Sequence, residues 1–191
     1  MTILKTIQTV LKDYTPRLLQ DDGSTQGAVI VPLFQREGQI FVLLTKRTEN
    51  LSIHKGQISF PGGKKEPNDK TIFHCALRET LEEIGIPPEK IALLGALDQL
   101  KTFGSNVLLT PFVCEVAFPF ELKPNSGEVE EVIEIPFKEL LKNENWSQKT
   151  IQVDKIKEKI IYYFDYEHWT VWGATAQILH QLVTLVRPVL D

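Results

Sequence analysis

Apolar residues along the chain change their spacing several times, and each change marks an element. Ile3, Ile7, Val10 and Leu11 recur at helical spacing and predict a short amphipathic helix at about 2–13. GAVIVPLF (27–34) and QIFVLLT (39–45) are continuous β-rich runs, and Gln35-Arg36-Glu37-Gly38 between them carries the glycine that suits a hairpin loop. A loop with Gly56, Pro61, Gly62 and Gly63 follows, interrupted by the apolar stretch Ile58 to Phe60. Helical spacing returns at 70–84, where Phe73, Ala76, Leu77, Leu81 and Ile84 share a face, and Gly85-Ile86-Pro87-Pro88 ends the run. Strands are predicted at 91–97 and 107–118, and a short helix after Pro136. Further strands at 150–154 and 158–165 precede a last helix at about 172–186. The aromatic set Tyr162, Tyr163, Phe164, Tyr166 and Trp169 alternates as a packed strand does, rather than as a base-stacking platform. Hairpin-joined strands mixed with helices predict an α+β (mixed α/β) fold, with residues 1–191 as a single domain.

Composition narrows the classes. A chain of 191 residues with 42% hydrophobic and 24% charged residues can bury a real core, which excludes disorder as an overall description. No apolar run approaches the roughly 18 residues of a membrane span, so no membrane partner is expected. The net charge is −4 and no basic stripe is evident, so nucleic acid is not an expected partner either. An anionic small molecule remains open, provided that something cationic mediates. The N-terminal MTILKTIQTVLKDY lacks the apolar core and cleavage site of a signal peptide, and Cys75 and Cys114 have no metal spacing. Both features are expected of a cytoplasmic protein with reduced, buried thiols. The N-terminal helix could cap its own core or a partner's, which leaves a homodimer open.

The chemistry concentrates in the helix at 70–84. Glu79, Glu82 and Glu83 stand at i, i+3 and i+4 and project from one face, a spacing that costs an isolated helix roughly 0.2–0.5 kcal/mol per like-charged pair. A solvated acidic face is the plain explanation; a site for a hard dication that takes oxygen ligands is the functional one. The glycine turn Phe60-Pro61-Gly62-Gly63 lets backbone approach a ligand closely, and the helix N-terminus after Lys64 to Asp69 favours anions. Together they suit a metal-bridged pyrophosphate.

Gly63, Asp69 and Arg78-Glu79-Thr80-Leu81-Glu82-Glu83-Ile84-Gly85-Ile86 resemble the Nudix box, G-x5-E-x7-R-E-U-x-E-E-x-G-U, at about 63–86. Asp69 stands where the box has Glu, one residue further from Arg78 than usual, and Thr80 takes an aliphatic position. Asp69 is thus either a helix N-cap or a metal ligand. The run from Leu43-Leu44-Thr45-Lys46-Arg47-Thr48 through Gly56 to Phe60-Pro61-Gly62-Gly63 resembles the segment preceding the box in the coenzyme A pyrophosphatase branch, LLTxRS-x3-R-x3-G-x3-FPGG. Glu128 to Pro136, Tyr163 to Tyr166 and Trp172 to Ala176 also have counterparts there. Ser52 stands in place of the branch's second arginine. The S-Q-P-W-P-F-P-type signature of NADH-cleaving relatives is absent after the box.

The resemblance implies a Nudix-type α/β/α sandwich with a mixed central sheet. It also implies a Mg2+- or Mn2+-dependent hydrolase in which water attacks a phosphorus of a nucleoside diphosphate derivative. On the branch, coenzyme A or a thioester would yield 3′,5′-ADP and a phosphopantetheine product. Glu79, Glu82 and Glu83 are implied as metal ligands, and Arg78 as the residue that pairs with and orients them. A box glutamate, or a carboxylate of the acidic loop with Glu128, Glu130 and Glu131 after the turn Asn125-Ser126-Gly127, is expected to act as base, with Glu131 taken as the representative; a solvated loop is the plain explanation of that run. Arg47, His54, Lys55, Gly62 and Gly63 are the expected substrate contacts. His74 reads as structural, and His168 and His180 as surface or core residues. Alternatives are a Nudix hydrolase of ADP-ribose, dinucleotides or nucleoside triphosphates, and a catalytically silent nucleotide-binding module.

Overall fold

The computed structural model describes residues 3–20, 22–49, 55–102, 106–152 and 158–190. In chain order these form α1 (Ile3–Asp13), β1 (Thr25–Arg36), β2 (Gln39–Arg47), β3 (Ile58–Ser59), β4 (Gly62–Lys64) and α2 (Ile72–Ile84). There follow β5 (Ile91–Ala96), β6 (Leu100–Lys101), β7 (Val107–Val116), β8 (Val129–Pro136) and α3 (Phe137–Leu140). The last elements are β9 (Trp146–Gln152), β10 (Glu158–Tyr166), β11 (Trp169–Trp172) and α4 (Gly173–Leu190).

The central sheet runs β3-β2-β1-β7-β5, with β8 also on β2, β4 on β1 and β6 on β7. It is mixed, because β1 and β7 pair in parallel while the other pairs are antiparallel. β1 and β2 join through Glu37 and Gly38, both at positive φ (51° and 78°), the two-residue turn whose twist matches that of the flanking strands. Alternation along β1 divides its side chains between two layers. Val29, Val31 and Leu33 join α1 and α4 in one core, while Ala28 and Ile30 pack with Ala76 of α2 on the opposite face. The layers are therefore helix, sheet, helix. A second sheet, β11-β10-β9, lays Phe164 and Val171 into the α4 side of the core.

Three expectations need correction. The segment after Asn125-Ser126-Gly127 is not a free acidic loop: from Val129 it is β8, hydrogen-bonded along β2. Its inward Val129, Ile133 and Ile135 repeat at even spacing, a period-2 signal that the dense glutamates obscure. β11 was not expected; it is a four-residue strand between a turn and α4. In α2, Leu81 is 44% exposed, whereas Thr80 and Glu83 are buried. The inward stripe is rotated from the apolar one because α2 presses its acidic flank under the glycine turn.

Candidate active site

α2 is positioned at both ends by its sequence. Thr71 caps the start, its hydroxyl accepting from His74 N at 3.2 Å, and Gly85 at φ 76° donates its N–H to Leu81 O at 2.9 Å. The cap is Thr71, so Asp69 is not the N-cap. Thr80, where the box favours an aliphatic residue, is fully buried and donates its hydroxyl to Ala76 O at 2.7 Å. That internal bond satisfies the group and lets it pass for an apolar side chain.

The glycine turn lies directly over the acidic flank. Gly63 pairs with Ala28 and Gly62 with Val29, which fixes the turn to the middle of β1. Gly62 sits at φ 150°, and a Cβ there would lie 2.6 Å from Val29 Cα. A Cβ on Gly63 would collide with the Glu79 carboxylate. Gly62 therefore demands glycine for the approach of β1, and at Gly63 a side chain would displace the acid beneath it. Thr175 at the start of α4 donates to Ile58 O at 3.1 Å and so braces the segment leading into the turn.

The three glutamates separate into different roles. Glu83 is the most enclosed, its side chain 4% exposed. Gly62 N–H donates to it at 3.2 Å and Arg47 Nη1 stands 3.5 Å away. Burial, only partly offset by these partners, pushes its carboxyl up to about 7. Burial also raises Glu79, against the pull of Arg78. Glu82 is 55% exposed and is held by Arg78 at 3.0 Å. Arg78 gathers the cluster: it donates to Asp69 Oδ1 and Oδ2 at 3.1 Å each, to Glu79 at 3.0 Å and to Lys64 O at 3.2 Å. The paired guanidinium in turn pulls Asp69 down to about 2. Asp69 thus spends its carboxylate on Arg78.

Among the described residues no three acidic, His or Cys side chains form a preassembled metal cage. Arg78 and Arg47 occupy the faces on which the carboxylates would converge. The donor set nevertheless fits a hard dication: Glu79 and Glu83, one turn apart, would offer carboxylate oxygens with little competing solvation.

The remaining expected residues are dispersed. Arg47 reaches Glu83, as stated. Lys55 is exposed in the turn before β3, and His54 and Ser52 lie outside the described residues. Glu131 is exposed on β8 opposite Lys46, and Glu130 takes Lys46 Nζ at 2.6 Å. Glu128, which the pattern did not single out from its neighbours, is the acid of that segment whose charge raises both Glu79 and Glu83. Of the histidines, His74 supports the α2 cap and His180 stacks on Tyr162 with centroids 4.0 Å apart. Cys75 and Cys114 are free and buried. No helix among the described residues is long and apolar enough to cross a membrane.

The chain is similar to known proteins in sequence and in fold. The NUDIX domain pattern matches residues 24–153. NudL of Photorhabdus laumondii subsp. laumondii, an uncharacterized Nudix hydrolase, is 34% identical over 166 residues, covering 87% of this chain and 87% of its own. Nudix hydrolase 3 of Caenorhabditis elegans is 33% identical over 201 residues, covering 97% and 83%. The crystal structure of a MutT/nudix family protein from Enterococcus faecalis shares the fold at a TM-score of 0.55 and 13% identity, over 98% of this chain and 70% of that one. A box helix under a glycine turn and relatives matched over most of their length converge on one assignment: the chain belongs to the Nudix hydrolases, enzymes that cleave diphosphate bonds of nucleoside diphosphate derivatives with the help of a divalent cation.

Proposed function

We propose that the substrate is coenzyme A or an acyl derivative, cleaved at its diphosphate bridge. The observation that carries the site assignment is Glu83, a buried carboxylate against Gly62 N–H and one turn from Glu79. Glu79 and Glu83 would hold Mg2+ or Mn2+, with Glu82 entering from Arg78 as a third ligand or as a holder of water. The ion, when bound, neutralises phosphate charge and lowers the pKa of water. The chain's own work is positioning. Gly62 and Gly63 keep side chains out of the diphosphate's path, Arg78 fixes Glu79 and Glu82, and Arg47 supplies a planar donor for phosphate oxygens. The proton-accepting role given to Glu131 passes in this reading to Glu128, whose charge reaches the site.

The coenzyme A assignment rests on the segment from Leu43 to Gly63 and on its resemblance to that branch. A second reading, ADP-ribose or a dinucleotide, is favoured by Ser52, which removes one cation from that segment. Turnover of coenzyme A, ADP-ribose, NADH and diadenosine polyphosphates, each with Mg2+ and with Mn2+, decides between them. The highest kcat/KM is expected for coenzyme A; a clear preference for ADP-ribose overturns that substrate and leaves the site assignment standing. Glu83→Gln is expected to lower kcat on the order of a hundredfold or more with the fold intact, because transition-state charge stabilisation is lost. Undiminished activity in that variant removes the metal assignment.

A further inference from the structure

β2 and β8 pair regularly from Phe41 opposite Pro136 to Lys46 opposite Glu131, and then Arg47 opposes Val129. Glu130 is thus one residue too many on β8. Such a bulge re-aims the side chains around it. Lys46 is drawn away from the box, onto Glu130 at 2.6 Å and over the Trp169 ring at 5.5 Å. Arg47 is aimed at the box, with Nη1 3.5 Å from Glu83 Oε1. That pair is loose. Charge-assisted N–H···O bonds close at about 2.7–2.9 Å, and the Arg47 Nε is buried with no hydrogen-bond partner among the described residues. The guanidinium therefore offsets the charge of Glu83 without being locked to it, and its Nε donor is left unspent.

We infer that Arg47 is a displaceable cation. It covers Glu83 in the metal-free protein, yields that carboxylate to the divalent ion, and turns its planar donor set to the substrate diphosphate. This rests on the reading of Glu83 as a metal ligand given above. Two consequences follow from linkage. Arg47 opposes metal binding in the absence of substrate, and it couples metal to substrate positively when both are present. Lys46, of the same charge and the neighbouring position, does neither, because Glu130 holds it.

The test is Mn2+ binding to the full chain, read by electron paramagnetic resonance of free Mn2+ at pH 8.5, followed by calorimetric binding of α,β-methylene-ADP with and without Mn2+. Arg47→Met is expected to bind Mn2+ alone about two- to fivefold tighter than wild type, as befits removal of a partly exposed competing ion pair. Lys46→Met is expected to match wild type. The gain in α,β-methylene-ADP affinity that Mn2+ confers is expected to shrink in Arg47→Met. Unchanged or weaker Mn2+ binding in Arg47→Met, an equal gain in Lys46→Met, or undiminished coupling overturns the inference. Arg47→Gln serves the same comparison if the methionine variant does not fold. Glu83→Gln separates the two levels. If it binds Mn2+ as wild type does, the metal reading falls and the inference with it. If it loses Mn2+ while Arg47→Met is unchanged, only the inference falls.

Discussion

At the scale of single residues, one short stretch of helix gives neighbouring glutamates different surroundings through burial and through the arginine that each meets. Glu82 faces water and an arginine; Glu83 faces backbone and is raised to about 7. Asp69 shows how a departure from a family pattern is absorbed. With one extra residue between it and Arg78, it does not cap the helix and instead braces Arg78 through two 3.1 Å hydrogen bonds. Asp69→Asn should therefore reduce activity roughly ten- to hundredfold through loss of ligand orientation, with KM for the substrate little changed; steady-state kinetics with and without excess Mn2+ checks this. The neighbourhood of the box glutamates and the glycine pair was legible in the sequence, because helical spacing and a tight turn fix where those residues stand. The separate partners of Glu82 and Glu83 were not, since Arg47 and Arg78 select between them only once the sheet has formed.

At the scale of elements, hairpins and helices with clear periods were readable, including the Glu37-Gly38 turn and the Gly85 stop. Where polar residues occupy inward positions, the pattern misleads. β8 alternates, but its glutamates suggest a solvated loop, and α2 buries Thr80 and Glu83 while Leu81, expected on the apolar face, is exposed. Thr80→Val tests why the helix tolerates this. The hydroxyl bonds only to Ala76 O within its own helix, so the near-isosteric apolar substitute should change stability by less than about 1 kcal/mol in either direction, as read by chemical denaturation. A large loss would mean that the hydroxyl has a tertiary role.

At the scale of the whole molecule, the site costs stability in a pH-dependent way. Glu83 is raised from 4.5 to about 7, so between those values the folded chain keeps a proton that the unfolded chain has released. Metal-free stability is expected to fall as pH rises through that window, and Glu83→Gln should flatten the decline, a difference on the order of 1–3 kcal/mol at pH 8. Asp69 has the opposite sign: its contribution is present above 3.8 and is lost as pH falls towards about 2. Divalent metal should restore stability at pH 8, by about 2.7 kcal/mol at a hundredfold excess over its Kd, and should do little at pH 4. Melting curves in EDTA and in Mg2+ at about pH 2.5, 4, 5 and 8 read all three trends. β1 carries a further consequence. Its odd-numbered side chains belong to one layer and its even-numbered ones to the other, while its backbone holds Gly62 and Gly63 over the acids. A slip by a single residue would invert both cores and carry the turn off Glu79 at once. Catalytic competence and correct strand alignment are thus a single property of this chain, and a partly assembled form can have neither.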